Sequence, residues 1–390
     1  MDKKTVRDVD LEGKRVLVRV DFNVPLENGE IQDDTRIRAS LDTIRYLLEE
    51  GAGVALCSHL GRPGGEPRDD LRLDPAGKAL AQLLDQEVKK LNDCVGQEVE
   101  AAAKEMDPGE VILLENTRFH AGEKKNDRDF ARSLSAPFQL FVNDAFAAAH
   151  RAHASTAGVA EHLPAVAGLL MEREVETLKG ILENPEDPFV LIMGGAKISD
   201  KLPMLGRFRD RVHRVLTGGG IANTLLEAKG VYVGDSLVEE ESLEDARSLL
   251  EEMDEKLLLP RDVVVARGRG VTTSRMNVRR EDVPEAWMIL DVGEETIQDY
   301  QQVLAEAATI LWNGPMGLFE EEVFRDGTFA MARTLAELGA TSITGGGETA
   351  AAVAQAGVVD GMTHVSTGGG AFLEFMQGET LPGIAALDDR

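Results

Sequence analysis

Short apolar runs that end in glycine or a polar turn recur along the chain, and most are followed by a stretch with helical spacing. In the first half, KRVLVRVDFNVP (14–25), GVALCSHLGRP (53–63), VILLENTRF (111–119) and LFVNDAF (140–146) read as strands, with helical segments such as Ala76 to Leu84 between them. In the second half, strands end at LIMGG (191–195), VLTGGG (215–220), DVVVA (262–266), ATILWNGPMG (308–317), TSITGGG (341–347) and HVSTGGG (364–370). Strands alternating with helices build βαβ units on a parallel sheet. Between the halves, Met171, Val175, Leu178 and Leu182 fall on one face of a helix that Pro185 and Pro188 stop. The pattern predicts an α/β chain of two doubly wound parallel-sheet (Rossmann-like) domains, 1–169 and 187–371, joined by a hinge helix over 170–186.

Length agrees with two cores, since a chain of 390 residues exceeds what one usually reaches. The formal charge of −27 argues against a nucleic-acid partner, which needs basic surface to neutralise phosphates. Lysine is scarce (14 of 42 basic residues), which fits either a source in raised salt or simply an acidic enzyme. No apolar run approaches the roughly 20 residues of a membrane span, and MDKKTVRDVD lacks the apolar core of a secretory signal. Cys57 and Cys94 have no CxxC spacing, so a cytoplasmic chain without a disulfide framework is expected. No coiled-coil heptads or long apolar stripe stand out, so a monomer is expected.

The halves differ in the chemistry at their strand ends. The first carries Arg19, Arg36, His59, Arg62, Arg118, His150, Arg151 and His153; the second carries Gly194, Gly195 and three Gly-Gly-Gly runs. Ligands of open α/β sheets bind outside the carboxyl ends of the strands. A basic cluster in an acidic chain suits a small, highly charged anion, and glycine corners suit a nucleotide. GGAKISDK is not a Walker A loop. If its lysines continue into a helix, Lys197 and Lys201 share one face, with Cβ atoms roughly 5–6 Å apart. Taken alone, the segment is equally a solvated lysine face or a phosphate site. AHRAHAST (149–156) contains His-x-x-His without further ligands, which favours an anion loop over a metal site. Glu348, at the start of GGGETAAAVAQAG, is either a helix cap or a ligand for phosphate-bound Mg²⁺. Trp312 reads as core.

The ordered set RVDFNVP, SHLGRP, LLENTRFHAGEKKND, VNDAFAAAHRAHAS, GGAKISDK, LTGGGIANTLL, WNGPMGLFE and STGGGA resembles phosphoglycerate kinases nearly end to end. The resemblance implies reversible phosphoryl transfer between 1,3-bisphosphoglycerate and MgADP, giving 3-phosphoglycerate and MgATP. It implies glycerate-ligand binding by the first domain, nucleotide binding by the second, and a tail, 372–390, that returns to the first. By position, Asp21, Asn23, Arg36, His59, Arg62, Arg118 and Arg151 contact the glycerate ligand. Gly194, Gly195, Lys201, Gly218, Gly219, Gly220, Asn313, Gly314, Pro315 and Glu320 line the nucleotide site. Gly346, Gly347, Glu348 and Thr349 face its phosphates, Glu348 holding Mg²⁺ through the nucleotide. Arg36, Lys197 and the backbone at Gly369 and Gly370 stabilise the transferring group, because such transfer needs positioning and charge neutralisation rather than a general base. Two ligands on two domains imply closure.

Three departures from the family pattern stand out. Glu348 replaces a usual Asp, Gly64 replaces a frequent Lys, and WMILDVGEET has Ile289 and Glu294 where Gly and Pro are common. Ile289 is expected to narrow the adenine pocket. A dinucleotide-dependent oxidoreductase would need G-x-G-x-x-G after a strand, and glycine triplets stand there instead. A non-catalytic phospho-ligand or nucleotide binder of the same fold is the alternative.

Overall fold

The computed structural model describes residues 1–270 and 274–390. The chain divides into two compact units, Met1–Lys179 with Glu379–Arg390, and Gly180–Gly378. The first contains β1 (Arg15–Arg19), the ribbon β2 (Leu26–Glu27) and β3 (Glu30–Ile31), then β4 (Gly53–Cys57), β5 (Val88–Lys90), β6 (Val111–Leu113), β7 (Leu140–Asn143) and β8 (Ala165–Ala167). Its main sheet runs β5-β6-β4-β1-β7-β8, with every pairing parallel. The strands are apolar without alternation because both faces are covered: Val16, Leu17 and Val18 are all fully buried. One covering helix, Asp74–Leu84, starts with Pro75 in its first turn and buries Ala76, Gly77 and Leu80.

From β1 the chain crosses to β4 on one side; from β7 it crosses to β8 on the other. A crevice therefore opens beyond the carboxyl ends of β1 and β7, where Arg19 and Asn143 are in register.

The second unit repeats this plan. Its strands are β9 (Phe189–Met193), β10 (Arg214–Thr217), β11 (Leu257–Leu258), β12 (Asp262–Ala266), β13 (Met276–Arg279), β14 (Met288–Val292), β15 (Thr309–Asn313), β16 (Thr341–Gly345) and β17 (His364–Val365). The parallel sheet runs β11-β10-β9-β15-β16-β17, over a core that includes Ile192, Leu216, Ile310 and Trp312. Its direction of winding reverses between β9 and β15, where Met193 and Asn313 are in register.

DVVVA does not join this sheet, contrary to the sequence pattern. As β12 it is the centre of a separate antiparallel sheet, β13-β12-β14. Pro260 follows the two-residue β11 and has no N–H to extend that ladder, so the chain turns and pairs afresh.

The helix between the halves is Leu169–Glu183, ending short of 186 because Pro185 cannot continue it. Its expected face is buried, with Met171 and Leu178 fully enclosed. The expected tail of 372–390 divides in two. The helix Gly370–Gln377 belongs to the second unit, and only Glu379–Arg390 joins the first. There the tail is hydrogen-bonded at Gly383 N to Ala149 O (2.8 Å), at Asp388 N to Ala165 O (2.8 Å), and at Asp388 O to Lys4 N (2.9 Å).

Candidate functional site

In the first unit the loops after β1, β4, β6 and β7 are tied together by side chains. Asn23 Oδ1 accepts from Gly61 N at 2.8 Å, and the Gly61 carbonyl accepts from Arg118 Nη1 at 2.7 Å. Asp21 Oδ2 accepts from Arg36 Nη1 at 2.6 Å, which aims a half-exposed guanidinium from the short helix Thr35–Ala39. Arg62, Arg118, Arg151 and His153 line one cavity of about 680 Å³, joined by His120, Lys124 and Lys125. The last three were not singled out as contacts from the sequence, although the lysine pair lies inside a quoted motif.

This concentration of cations shifts the groups within it. Burial, then Arg151 and Arg19, pushes Arg118 down to about 10, and its Nε is buried without a hydrogen-bond partner. Burial, then Arg118 and Arg151, pushes His153 down to about 4. His59 is held well below its ordinary value by burial first, then by Arg19, Arg118, Arg151 and Arg36. Arg19 Nη2 lies 2.9 Å from His59 Nδ1, and a guanidinium can only donate. Nδ1 is thus the acceptor, and the neutral ring carries its proton on Nε2. Both histidines are uncharged at neutral pH, and the site draws its positive charge from arginine and lysine.

In the second unit the loops after β9, β10 and β15 meet backbone to backbone. Gly194 N donates to Asn313 O (3.0 Å), Gly195 N to Pro315 O (2.9 Å) and Gly219 N to Met316 O (2.7 Å). A Cβ on Gly194 would lie 2.0 Å from the Pro315 carbonyl oxygen, and one on Gly314 would lie 2.1 Å from that of Gly194. Gly194 is required by this loop packing, and Gly314 by the packing together with its φ of +95°. Gly195 differs: a Cβ there meets nothing closer than 3.9 Å, and glycine is required by its φ of +97°. Gly195, Gly219, Gly220, Pro315, Glu320 and Glu348 share a cavity of about 570 Å³ with Leu237, Val238, Ile289, Leu290 and Met316. Apart from Ile289, these apolar walls carry no sequence signal that separates them from core.

Lys197 and Lys201 are not a pair on one helix face. The helix begins at Leu202, and residues 194–201 form a turned loop in which Lys201 N bonds Ile198 O at 2.8 Å. Lys197 is exposed, whereas Lys201 is largely enclosed and donates from Nζ to Asn313 Oδ1. Burial lowers the Lys201 pKa, while Asp200 and Glu348 oppose that shift. Asn313 Nδ2 in turn donates to Gly345 O at 2.7 Å. Thr349, expected to face phosphates, is buried, and its Oγ1 accepts from Gly314 N at 2.7 Å.

Gly346 caps the helix Gly347–Gln355, whose first turn exposes Glu348. Gly218 and Gly220 open the helix after β10, and Gly369 and Gly370 open the helix Gly370–Gln377. At the helix after β10, Gly219 N and Ile221 N are already taken by Met316 O and Gly195 O; helix N-termini in general favour anions. Ile289 packs against Leu226, Val263 and Val265 while lining the cavity. Glu348 offers an exposed carboxylate that suits Mg²⁺, which keeps waters and phosphate oxygens around one or two carboxylates.

A family model for phosphoglycerate kinase matches residues 6–379. Curated relatives named phosphoglycerate kinase include that of Rubrobacter xylanophilus, 53% identical over 390 residues, covering 100% of this chain and 99% of the relative. That of Moorella thermoacetica is 52% identical over 393 residues, with 100% of each covered. Among solved structures, phosphoglycerate kinase from Coxiella burnetii superposes with a TM-score of 0.87 at 42% identity, covering 98% of both chains. The Pyrococcus horikoshii enzyme gives 0.88 at 35% identity, again covering 98% of each.

Proposed function

The chain belongs to the phosphoglycerate kinase family, and we propose that its two switch-point cavities divide that family's reaction between them. The reaction is reversible phosphoryl transfer from 1,3-bisphosphoglycerate to MgADP, giving 3-phosphoglycerate and MgATP. The contrast between the cavities carries the reading. One is walled by Arg62, Arg118, Arg151 and Lys124 beside neutral His153; the other is cornered by glycines and walled by apolar side chains. The first suits a small polyanion, and the second a base and ribose.

In this reading, Arg62, Arg118 and Arg151 hold the anionic end of the glycerate ligand, and Arg118 Nε supplies a donor with no protein partner. Asp21 and Asn23 position rather than bind: Asp21 holds Arg36, and Asn23 holds the loop that carries Arg62. Arg36 and Lys197 neutralise charge on the transferring phosphoryl group. Arg36 does so as an oriented fork of donors, and Lys197 as a mobile point charge. Lys201, tethered to Asn313, holds the nucleotide phosphates. The amides at Gly369 and Gly370 add donors to the developing charge. Glu348 holds Mg²⁺, which when bound neutralises charge on the nucleotide phosphates. In-line transfer requires the two ligands to be brought together, the closure expected from the sequence. A carboxylate leaves in this direction and attacks in the reverse, so no strong general base is needed, and neutral His59 and His153 are consistent with that.

The test is ADP formation that depends on both ATP and 3-phosphoglycerate. Turnover with both substrates is expected. Binding of both without turnover would leave the non-catalytic alternative standing.

A further inference from the structure

The loop after β5 and the turn after β6 bring together three residues that the sequence keeps apart. The strands are neighbours, and the loops remain bonded beyond them: Leu91 N donates to Leu113 O (2.9 Å) and Glu115 N to Asp93 O (3.2 Å). Asp93 and Cys94 lie on the first loop, and His120 follows the Thr117–Phe119 turn on the second. His120 Nε2 is 2.6 Å from Asp93 Oδ1, and one donor atom from each of Asp93, Cys94 and His120 lies within 4.8 Å of the other two.

We propose that Asp93, Cys94 and His120 form a binding site for one thiophilic divalent cation of the Zn²⁺ class, separate from the Mg²⁺ that accompanies a nucleotide. The donor set decides the cation. A thiolate, an imidazole and a carboxylate suit Zn²⁺ or Co²⁺, whereas Mg²⁺ takes oxygen ligands almost exclusively. Zinc bonds of roughly 2.0–2.3 Å in a tetrahedron set donors about 3.3–3.6 Å apart, so the present spacing needs side-chain adjustment of about 1 Å. The charges close as well: one carboxylate and one thiolate balance a dication. On binding, the Cys94 thiol gives its proton to solvent, and the metal replaces the hydrogen bond between His120 and Asp93.

Access and rigidity are both present. Cys94 is a free, fully buried thiol at the base, whereas the side chains of His120 and Asp93 are 31% and 48% exposed. That leaves an entry path and a fourth position for water. The His120 ring is stacked on Phe130, with centroids 4.9 Å apart and planes 22° from parallel, which fixes its orientation. A hydrogen bond alone would account for Asp93 and His120; the soft donor beneath them completes a metal set.

The test uses the full chain, stripped with chelator and titrated with Co²⁺ alone. One equivalent should bind and give thiolate-to-cobalt charge-transfer absorption, reversed by Zn²⁺ and unaffected by excess Mg²⁺. Cys94→Ser should abolish that absorption, and His120→Asn, at a partly exposed position, should weaken Zn²⁺ binding at least ~100-fold. Cys57→Ser should leave both intact. Absence of a saturable thiolate band at one equivalent overturns the proposal, as does its persistence in Cys94→Ser or displacement by Mg²⁺. Unchanged Zn²⁺ affinity in folded His120→Asn protein overturns it too.

Discussion

Asp144 lies just beyond β7, and its Oδ1 accepts from Leu170 N (3.0 Å) and Met171 N (3.2 Å), in the first turn of the Leu169–Glu183 helix. A carboxylate there is favoured by the helix dipole, yet burial outweighs it and pushes the group up to about 7, from an ordinary 3.8. The raised value means that the folded chain holds this proton more tightly than the unfolded chain. The associated stability is complete below the ordinary value and lost as pH rises through about 7. A rise of about 3 units corresponds to roughly 4 kcal/mol, an upper bound for one buried carboxyl. Asp144→Asn cannot ionise but keeps an oxygen for the two helix amides. The stability of the variant relative to the parent should therefore rise by ~3 kcal/mol between about pH 4.5 and about pH 8, the remainder of the change lying below pH 4.5. Urea unfolding of both proteins across that range measures the difference. Asp291 is also pushed up, to about 8, by burial, but it is present in both proteins and cancels in the comparison. A difference that stays constant with pH would refute the reasoning, because the carboxyl would then be ionising as it does in water.

Three further substitutions separate packing from chemistry in the second unit. Lys197→Ala should lower kcat about 10²–10³-fold with little change in nucleotide affinity. Lys201→Ala should instead weaken nucleotide binding by about 10–100-fold, the worth of one charged hydrogen bond; steady-state kinetics and direct titration tell the two patterns apart, and identical effects from both would end the division of labour. Gly194→Ala places a Cβ 2.0 Å from a backbone oxygen and should cost about 1–3 kcal/mol of stability, seen in thermal unfolding without ligand. An unchanged melting temperature would show that those loops have room to part.

The strands were legible because a parallel sheet covered on both faces has to be apolar throughout, as in Val16 to Val18 and Val190 to Met193. Their ends were not. Val20, Phe22 and Val24 continue the alternation of a strand and are buried. However, Phe22 N takes Ser58 Oγ rather than a ladder carbonyl, so β1 stops at Arg19. DVVVA was legible as a strand but not as a member of a particular sheet, since four apolar residues do not encode their neighbours. The basic half of the site could be read from residue type. The glycine half was ambiguous, because Gly194 needs glycine for packing and Gly195 for φ, and a sequence writes both with one letter. Lys197 and Lys201 show the same limit. Their spacing matched a helix, but the turn at Gly195 and Pro203 delays the helix until Leu202.

Residues 379–390 complete the first unit, hydrogen-bonded to Lys4, Ala149 and Ala165 across most of the chain length. On a ribosome these contacts become available only after all of Gly180–Gly378 has been made. The second unit is continuous and emerges whole, whereas the first, though begun earlier, waits for its last piece. The order of synthesis and the order of completion are thus inverted, and a nascent chain released early would carry a finished second unit on an unfinished first.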